Sequence, residues 1–191
     1  MKFSAYRPLA MRTAKRIDPD MDTMHILMGV MGEGGELIDA YKKHLIYGKE
    51  LDKVNVLEEA GDLCWFLNFF MVIGEAPDDF LDTVYEGAQE YKGQHGVLVP
   101  KQAITNLMGT IGQFCNTDSD PDARIFAIIP TMIFALDCLL ADCGYTMAQA
   151  LERNIDKLAA RYGDKYSDLA AIKRDLALER ATLEAQTATL Q

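Results

Sequence analysis

Apolar residues recur at helical spacing along almost the whole chain, and no alternating run is long enough for a strand. The pattern predicts a short helix near 4–16 and seven longer ones. The seven are expected at roughly 21–47, 53–74, 77–93, 100–116, 122–143, 146–162 and 168–186. Gly74 and Gly144 stand where helices should end, and Pro77 and Pro100 stand near starts. The sequence therefore predicts an all-α helical bundle.

The end of the chain has a different composition from the rest. From Ser167 onward it is rich in alanine, leucine, glutamate and arginine. Apolar and charged residues alternate there at helical spacing, which predicts one amphipathic helix. We expect this helix to pack on the body of the protein or on another subunit.

A faint internal repeat relates the two halves of the chain. Residues 27–33 read LMGVMGE and residues 107–113 read LMGTIGQ, at an offset of 80. Gly74 and Gly144 close two long apolar helices at an offset of 70. We interpret this as a pseudo-duplicated four-helix core with extra helices; the alternative is a chance match between similar apolar helices. The expected division of the single domain 1–191 is an acidic repeat 1–94, a degenerate repeat 95–166 and a C-terminal helix 167–191.

Composition and charge narrow the classes of function. The chain has 191 residues, which is long enough to bury a core. Of these, 49% are apolar and 25% charged, a composition that excludes a disordered chain. Lysine and arginine number 19 against 29 aspartates and glutamates, giving a formal charge of −10. Such an acidic chain argues against nucleic acid or an anionic membrane as partner.

The lack of a recognisable targeting signal and the spacing of the cysteines predict a cytoplasmic protein. The first residues show no apolar stretch with a cleavage site, so we expect no secretory signal. The most apolar segment, 125–140, is shorter than a membrane span and contains Pro130 and Asp137. The four cysteines form no C-x-x-C pair, which is typical of buried thiols in a reducing compartment.

Two short acidic strings carry the candidate chemistry. GEGGEL contains Glu33 and Glu36, and LEEAGDL contains Glu58, Glu59 and Asp62. A spacing of three residues places Glu33 with Glu36, and Glu59 with Asp62, on one face of their helices. Two such helices side by side would bring four carboxylates together, as Mg²⁺ prefers. The alternative is a set of ordinary surface carboxylates.

The apolar surroundings of the second string favour a functional role. Glu59 and Asp62 share their helix face with Leu63, Phe66 and Phe70. Burying two unpaired carboxylates there would cost several kcal/mol. They therefore need a cation, a basic partner or a wet cavity.

Basic residues that could hold phosphate occur in two places. Asn154, Lys157 and Arg161 form one stripe along a predicted helix, here called the basic stripe. An amide, an ammonium and a guanidinium on one stripe suit a phosphate chain. Lys42 and Lys43 are similar candidates. The alternative in both places is a solvated basic edge of an amphipathic helix.

The acidic pattern resembles that of the all-α nucleoside triphosphate pyrophosphohydrolases, also called MazG-like. Their signature, E-x-x-E followed by E-x-x-D, is matched by Glu33-Gly-Gly-Glu36 and Glu59-Ala-Gly-Asp62. The stretches AMRTA, MGEGGELIDAYKKHLIYGKELD, EEAGDLCWFL and NIDKLAARYG are also similar to family sequences. The resemblance covers residues 4–74 and 144–175 and leaves 75–143 unmatched.

The resemblance implies hydrolysis of a ribo- or deoxynucleoside triphosphate to the monophosphate and pyrophosphate, in nucleotide-pool sanitation. It implies Mg²⁺, with Mn²⁺ as a substitute, held by Glu33, Glu36, Glu59 and Asp62. The implied triphosphate contacts are Lys42, Lys43, Asn154, Lys157 and Arg161. The candidate catalytic carboxylates are Glu36, Glu58 and Glu59, with the general base left open between Glu36 and Glu58. Trp65 is a candidate base-stacking residue at the pocket rim, and a core position is the alternative for it.

The second repeat departs from the signature. Four uncharged residues stand at the positions of the four acids: Gln113, Asn116, Ile129 and Met132. The residues of the first copy opposite the basic stripe are Val84, Gly87 and Tyr91. We therefore expect one composite site per chain, with acids from the first copy and the basic helix from the second, similar to dimeric dUTPases of the same superfamily. The alternative is a plain helical insertion at 75–143.

Two functions remain open from the sequence. The first is the pyrophosphohydrolase, acting as a cytoplasmic homodimer on a small-molecule nucleotide. The second is a non-catalytic module, either a helical nucleotide sensor or a partner-binding bundle. Turnover distinguishes them, because a sensor binds nucleotide without releasing pyrophosphate.

Overall fold

The computed structural model describes residues 1–116 and 124–185, and within these ranges the chain is helical with no strand. The α-helices are α1 (Phe3–Ala10), α2 (Pro19–Leu45), α3 (Lys53–Ile73), α4 (Phe80–His95), α5 (Pro100–Cys115), α6 (Ile129–Asp142), α7 (Met147–Tyr162), α8 (Asp168–Ile172) and α9 (Leu176–Glu184). A 3₁₀ turn, Met11–Thr13, follows α1, and a π-helical turn, Arg124–Ile128, precedes α6. The prediction of an all-α fold is confirmed.

Capping residues explain why the long helices begin close to where the pattern placed them. The Asp18 carboxylate accepts a hydrogen bond of 2.9 Å from the Met21 N–H at the start of α2. Thr146 and Gln149 form a reciprocal capping box at the start of α7. The start predicted at residue 122 lies outside the described residues.

The prediction of one C-terminal helix from 168 to 186 is wrong within the described residues. The segment forms two short helices, α8 and α9, separated at residues 173–175. The Asp175 carboxylate accepts a 3.0 Å hydrogen bond from the Leu178 N–H and so caps a new helix. An aspartate side chain can bind backbone N–H groups in place of a helical carbonyl. The cap at Asp175 therefore starts a new helix although the amphipathic pattern continues through this point.

The packing of the helices exchanges elements between the two halves of the chain. Helices α2 and α3 pack as one pair and α5 and α6 as another, and the pairs meet through α2 and α5 and through α3 and α6. Helix α4, which follows the first pair, packs on α6 of the second. Helix α7, which follows the second pair, packs on α3 of the first. This exchange brings the basic stripe of α7 alongside the acidic string of α3.

The apolar faces of these helices meet in one core, and its central side chains come from both pairs. Leu37, Leu63, Leu67, Ile133 and Leu136 are completely buried there. All four cysteines are free thiols, three of them buried and one partly buried. Burial raises the pKa of each thiol, so they act as apolar packing groups.

In the described ranges, the length and apolar character needed to cross a membrane are not found together in any one helix. Helices α6 and α7 reach that length and apolar character only when they are taken together, and their axes are bent by 89° relative to each other.

Candidate functional site

Three acidic side chains converge between α2 and α3 and form what is here called the carboxylate cluster: Glu33, Glu59 and Asp62. One oxygen atom of each lies within 4.8 Å of the others. Glu59 is only 4% exposed, while Glu33 and Asp62 are partly buried. Burial, and then the neighbouring charge of Asp62, raises the pKa of Glu59 to about 10. The same two causes raise the pKa of Glu33. With a pKa of about 10, Glu59 keeps its proton at neutral pH unless a bound cation compensates the charge of the cluster.

The donor set of the carboxylate cluster fits a hard divalent cation. All its candidate ligand atoms are carboxylate oxygens, which Mg²⁺ and Mn²⁺ prefer. Glu36, the fourth predicted ligand, is exposed and lies one turn from Glu33 on the wall of the same cavity, outside the tight group. Elsewhere in residues 1–116 and 124–185, no other three acidic, histidine or cysteine side chains come as close together. Ile129 and Met132, which the predicted repeat aligns with Glu59 and Asp62, are fully buried apolar residues.

Two residues of α7 contact the acids directly. The Lys157 ammonium, 1% exposed, forms ion pairs with Asp62 and with Glu58, the latter at 3.2 Å. Burial alone would lower the pKa of Lys157, but the charges of Asp62 and Glu58 outweigh it and raise that pKa. The Asn154 amide donates a 2.6 Å hydrogen bond to Asp62 and accepts one of 2.6 Å from the Tyr6 hydroxyl. Acids from the first half and polar groups from the second therefore meet in one site.

The absence of a side chain at Gly61 allows α7 to approach α3 at this point. A Cβ atom on Gly61 would lie 3.0 Å from the Ala150 carbonyl oxygen and 3.0 Å from the Asn154 Cβ. Such distances are too short for an unstrained contact. Gly61 therefore fixes the spacing that places Asn154 on Asp62.

Replacing Gly61 by alanine is expected to push α7 away from α3. The free energy of unfolding should fall by about 1–3 kcal/mol, as for other overpacked cores. Urea denaturation measures the change. Gly87→Ala is the matched control, because Gly87 lies inside α4 with open space around it. That control should gain about 1 kcal/mol from helix propensity. A Gly61→Ala protein as stable as wild type would contradict the packing described here.

The carboxylate cluster opens onto a cavity of about 470 Å³ with chemically distinct walls. Glu36 and Glu58 add to its acidic lining beyond the cluster. Apolar and aromatic side chains also line it, namely Met21, Met28, His25, Trp65 and Phe66. Cationic and phenolic groups complete the lining: Lys15, Arg161, Tyr162, Tyr166 and Arg174. A volume of this size, with a few convergent polar groups, is typical of a small-molecule site.

His25 and Trp65 belong to an aromatic group at the back of the cavity. The His25 ring stands edge-on to Phe66, with centroids 5.5 Å apart. Burial lowers the pKa of His25, which favours the neutral imidazole. The indole N–H of Trp65 donates to the Ala10 carbonyl at 3.1 Å and to the Thr13 hydroxyl at 3.2 Å. Trp65 therefore reaches the cavity with its ring alone, since its N–H group serves the packing of the chain.

Lys42 and Lys43 lie away from this cavity. Both are exposed and pair with Asp39, which stands three and four residues before them on α2. Lys43 lines a separate groove between the end of α2 and the start of α3, and Glu36 lies on its edge. These two ion pairs could have been predicted from the sequence, because Lys42 and Lys43 follow Asp39 at i, i+3 and i, i+4 spacing.

Arg161 does line the cavity, together with residues that sequence reasoning missed. The missed residues are Lys15, Tyr162, Tyr166 and Arg174 on the cavity wall and Glu179 in contact with Arg161. Glu179 binds both Arg161 and Arg174. Tyr162 adjoins Arg161 and could have been found from the basic stripe. The contact between Glu179 and Arg161 joins residues 18 positions apart across a helix break. The helical periodicity of the sequence does not predict such a contact.

Comparison with protein-family models, with curated proteins and with solved structures finds no match to this chain. The resemblance to the MazG-like pyrophosphohydrolases therefore stays a prediction from the acidic motifs.

Proposed function

We propose that this protein is a Mg²⁺-dependent nucleoside triphosphate pyrophosphohydrolase, acting in the cytoplasm on the nucleotide pool. The observation that supports it best is the carboxylate cluster at the edge of a cavity whose other walls are aromatic and cationic. A divalent cation, a planar base and a phosphate chain each have a chemically suitable wall there. Mn²⁺ is expected to replace Mg²⁺.

The role of each side chain follows from its contacts. Glu33, Glu59 and Asp62 would hold the cation, with Glu36 beside them. A bound Mg²⁺ would neutralise phosphate charge and stabilise the charge that develops on the transferred phosphoryl group.

Lys157 and Asn154 orient Asp62, because each contacts one of its carboxylate oxygens. Glu58 and Glu36 both line the cavity and are the two candidates for the general base that takes a proton from the attacking water. Glu58 is fixed by Lys157, which favours it for a positioned base.

A partner-binding role is the second candidate, and one surface feature favours it. Four methionines, Met21, Met24, Met28 and Met31, stand 45–59% exposed along one face of α2. Methionine faces adapt to varied partners. A second copy of the chain covering this face would make the homodimer expected from the resemblance.

The experiment that tests the proposal is pyrophosphate release from a panel of ribo- and deoxynucleoside triphosphates with Mg²⁺. We expect turnover of at least one nucleotide and loss of turnover with excess chelator. Nucleotide binding in calorimetry without pyrophosphate release would contradict the enzyme and indicate the sensor. Neither binding nor release would favour the partner-binding role.

A further inference from the structure

Glu179 is a buried carboxylate that joins two arginines from different parts of the chain. Its side chain is 4% exposed. Arg161 of α7 donates from Nε at 2.8 Å and from Nη2 at 2.5 Å. Arg174, between α8 and α9, donates from Nη2 at 2.7 Å. Burial alone would raise the pKa of Glu179, but these hydrogen bonds outweigh it and lower that pKa to about 2.

Both arginines lie on the wall of the cavity that contains the carboxylate cluster. Two neighbouring guanidinium groups repel each other, and a shared carboxylate removes most of that repulsion. Each arginine meets Glu179 through its Nε and Nη2 atoms, so Glu179 does not engage either Nη1 atom. The net charge of the three groups is positive, which suits an anion in the cavity.

Charged contacts join the segment that carries Arg174 and Glu179 to the body at several points. We call residues 164–185 the C-terminal segment. Lys15 pairs with Asp168 at 2.6 Å and Arg180 pairs with Asp52 at 2.9 Å. Leu183 is the large apolar side chain that it buries. Its other leucines and its isoleucine are exposed, namely Leu169, Ile172, Leu176 and Leu178. Glu179 is thus the buried contact that decides where Arg174 lies.

We propose that Glu179 is a positioning residue that holds Arg161 and Arg174 side by side as a two-guanidinium subsite for the phosphate groups of the substrate. The substrate class rests on the proposed function, whereas the anion subsite rests on the contacts above. Arg174 of the C-terminal segment then completes the cationic lining of the cavity. In a competing role, Glu179 would block the two arginines by taking the place of a phosphate group. Removing its charge would then tighten anion binding instead of weakening it.

Calorimetric titration with pyrophosphate, at fixed Mg²⁺, tests the subsite without requiring turnover. Arg174→Gln should weaken pyrophosphate binding about tenfold, because one charge-assisted contact is lost. Its side chain is 42% exposed, so this variant should keep its fold. Glu179→Gln should weaken binding by a similar factor, and Glu179→Asp should recover part of it. In turnover, the KM should rise by about the same factor while kcat changes little.

Glu184→Gln is the matched control, since Glu184 is an exposed glutamate on the same helix and pairs with Arg180. It should bind pyrophosphate as wild type does. Tighter binding by Glu179→Gln would overturn the proposal in favour of competition by Glu179. Unchanged binding by Arg174→Gln, or no binding by wild type, would also overturn it. Altered binding in a protein without turnover would support the subsite and reject the enzyme.

Discussion

Replacing Glu59 by glutamine is expected to abolish turnover, with a loss of about a thousandfold or more. Glutamine keeps the shape of the side chain but removes one charged ligand from the carboxylate cluster. The variant should be at least as stable as wild type without Mg²⁺, because a neutral amide avoids the cost of a carboxyl group whose pKa is raised by burial and by Asp62. It should lose the rise in Tm that Mg²⁺ gives to wild type. Initial rates and thermal unfolding with and without Mg²⁺ measure both effects.

Glu90→Gln is the control for Glu59→Gln, since Glu90 is an exposed glutamate on α4 away from the cavity. It should keep both turnover and the Mg²⁺-dependent rise in Tm. A Glu59→Gln protein that still responds to Mg²⁺ like wild type would show that the cation binds elsewhere.

Replacing Lys157 by methionine is expected to give the largest loss of stability. The ammonium is almost completely buried and compensates Asp62 and Glu58. Its removal leaves partly buried carboxylates beside an already acidic cluster, so the free energy of unfolding should fall by about 3–5 kcal/mol. Mg²⁺ should restore part of the loss, because it returns positive charge to the same place. Urea denaturation with and without Mg²⁺ measures the two quantities.

The chain offers a matched control in its other half. Lys92 of α4 pairs with the buried Asp137 of α6 at 2.7 Å, as Lys157 of α7 pairs with Asp62 of α3. Lys92→Met should also destabilise the protein, but Mg²⁺ should restore nothing, because among the described residues the carboxylate cluster does not include Asp137. Equal restoration in both variants, or none in Lys157→Met, would contradict the electrostatic link between Lys157 and the cluster.

The long helices could be predicted from the sequence because their boundaries carry local signals. Proline, glycine and capping residues mark the ends of α3, α5 and α7 within a few residues of the observed bounds. The break before α9 was missed because the amphipathic pattern continues through it while Asp175 caps a new helix. One capping residue is weak evidence for a helix break when the amphipathic pattern on both sides of it is continuous.

The acidic half of the site follows from spacing, whereas the cationic half depends on tertiary contacts. Glu59 and Asp62 share a helix face because of their i, i+3 spacing, and they meet Glu33 of the adjacent helix. Glu36 has the same spacing from Glu33 but stays outside the tight group, which the spacing could not tell. The position of Lys157 beside them depends on α7 crossing to α3, which the repeat and the family resemblance suggested but no local pattern predicts. The Glu179 contact with Arg161 could not be predicted, since it depends on how two short terminal helices fold back.

The most direct test of the central claim is ³¹P NMR of the preferred nucleoside triphosphate, incubated with the protein and Mg²⁺. The monophosphate and pyrophosphate should appear together in equal amounts, and neither should form with Glu59→Gln or with excess chelator. Formation of the diphosphate and inorganic phosphate would contradict pyrophosphohydrolysis. Equal product formation by Glu59→Gln would contradict the assignment of the reaction to the carboxylate cluster.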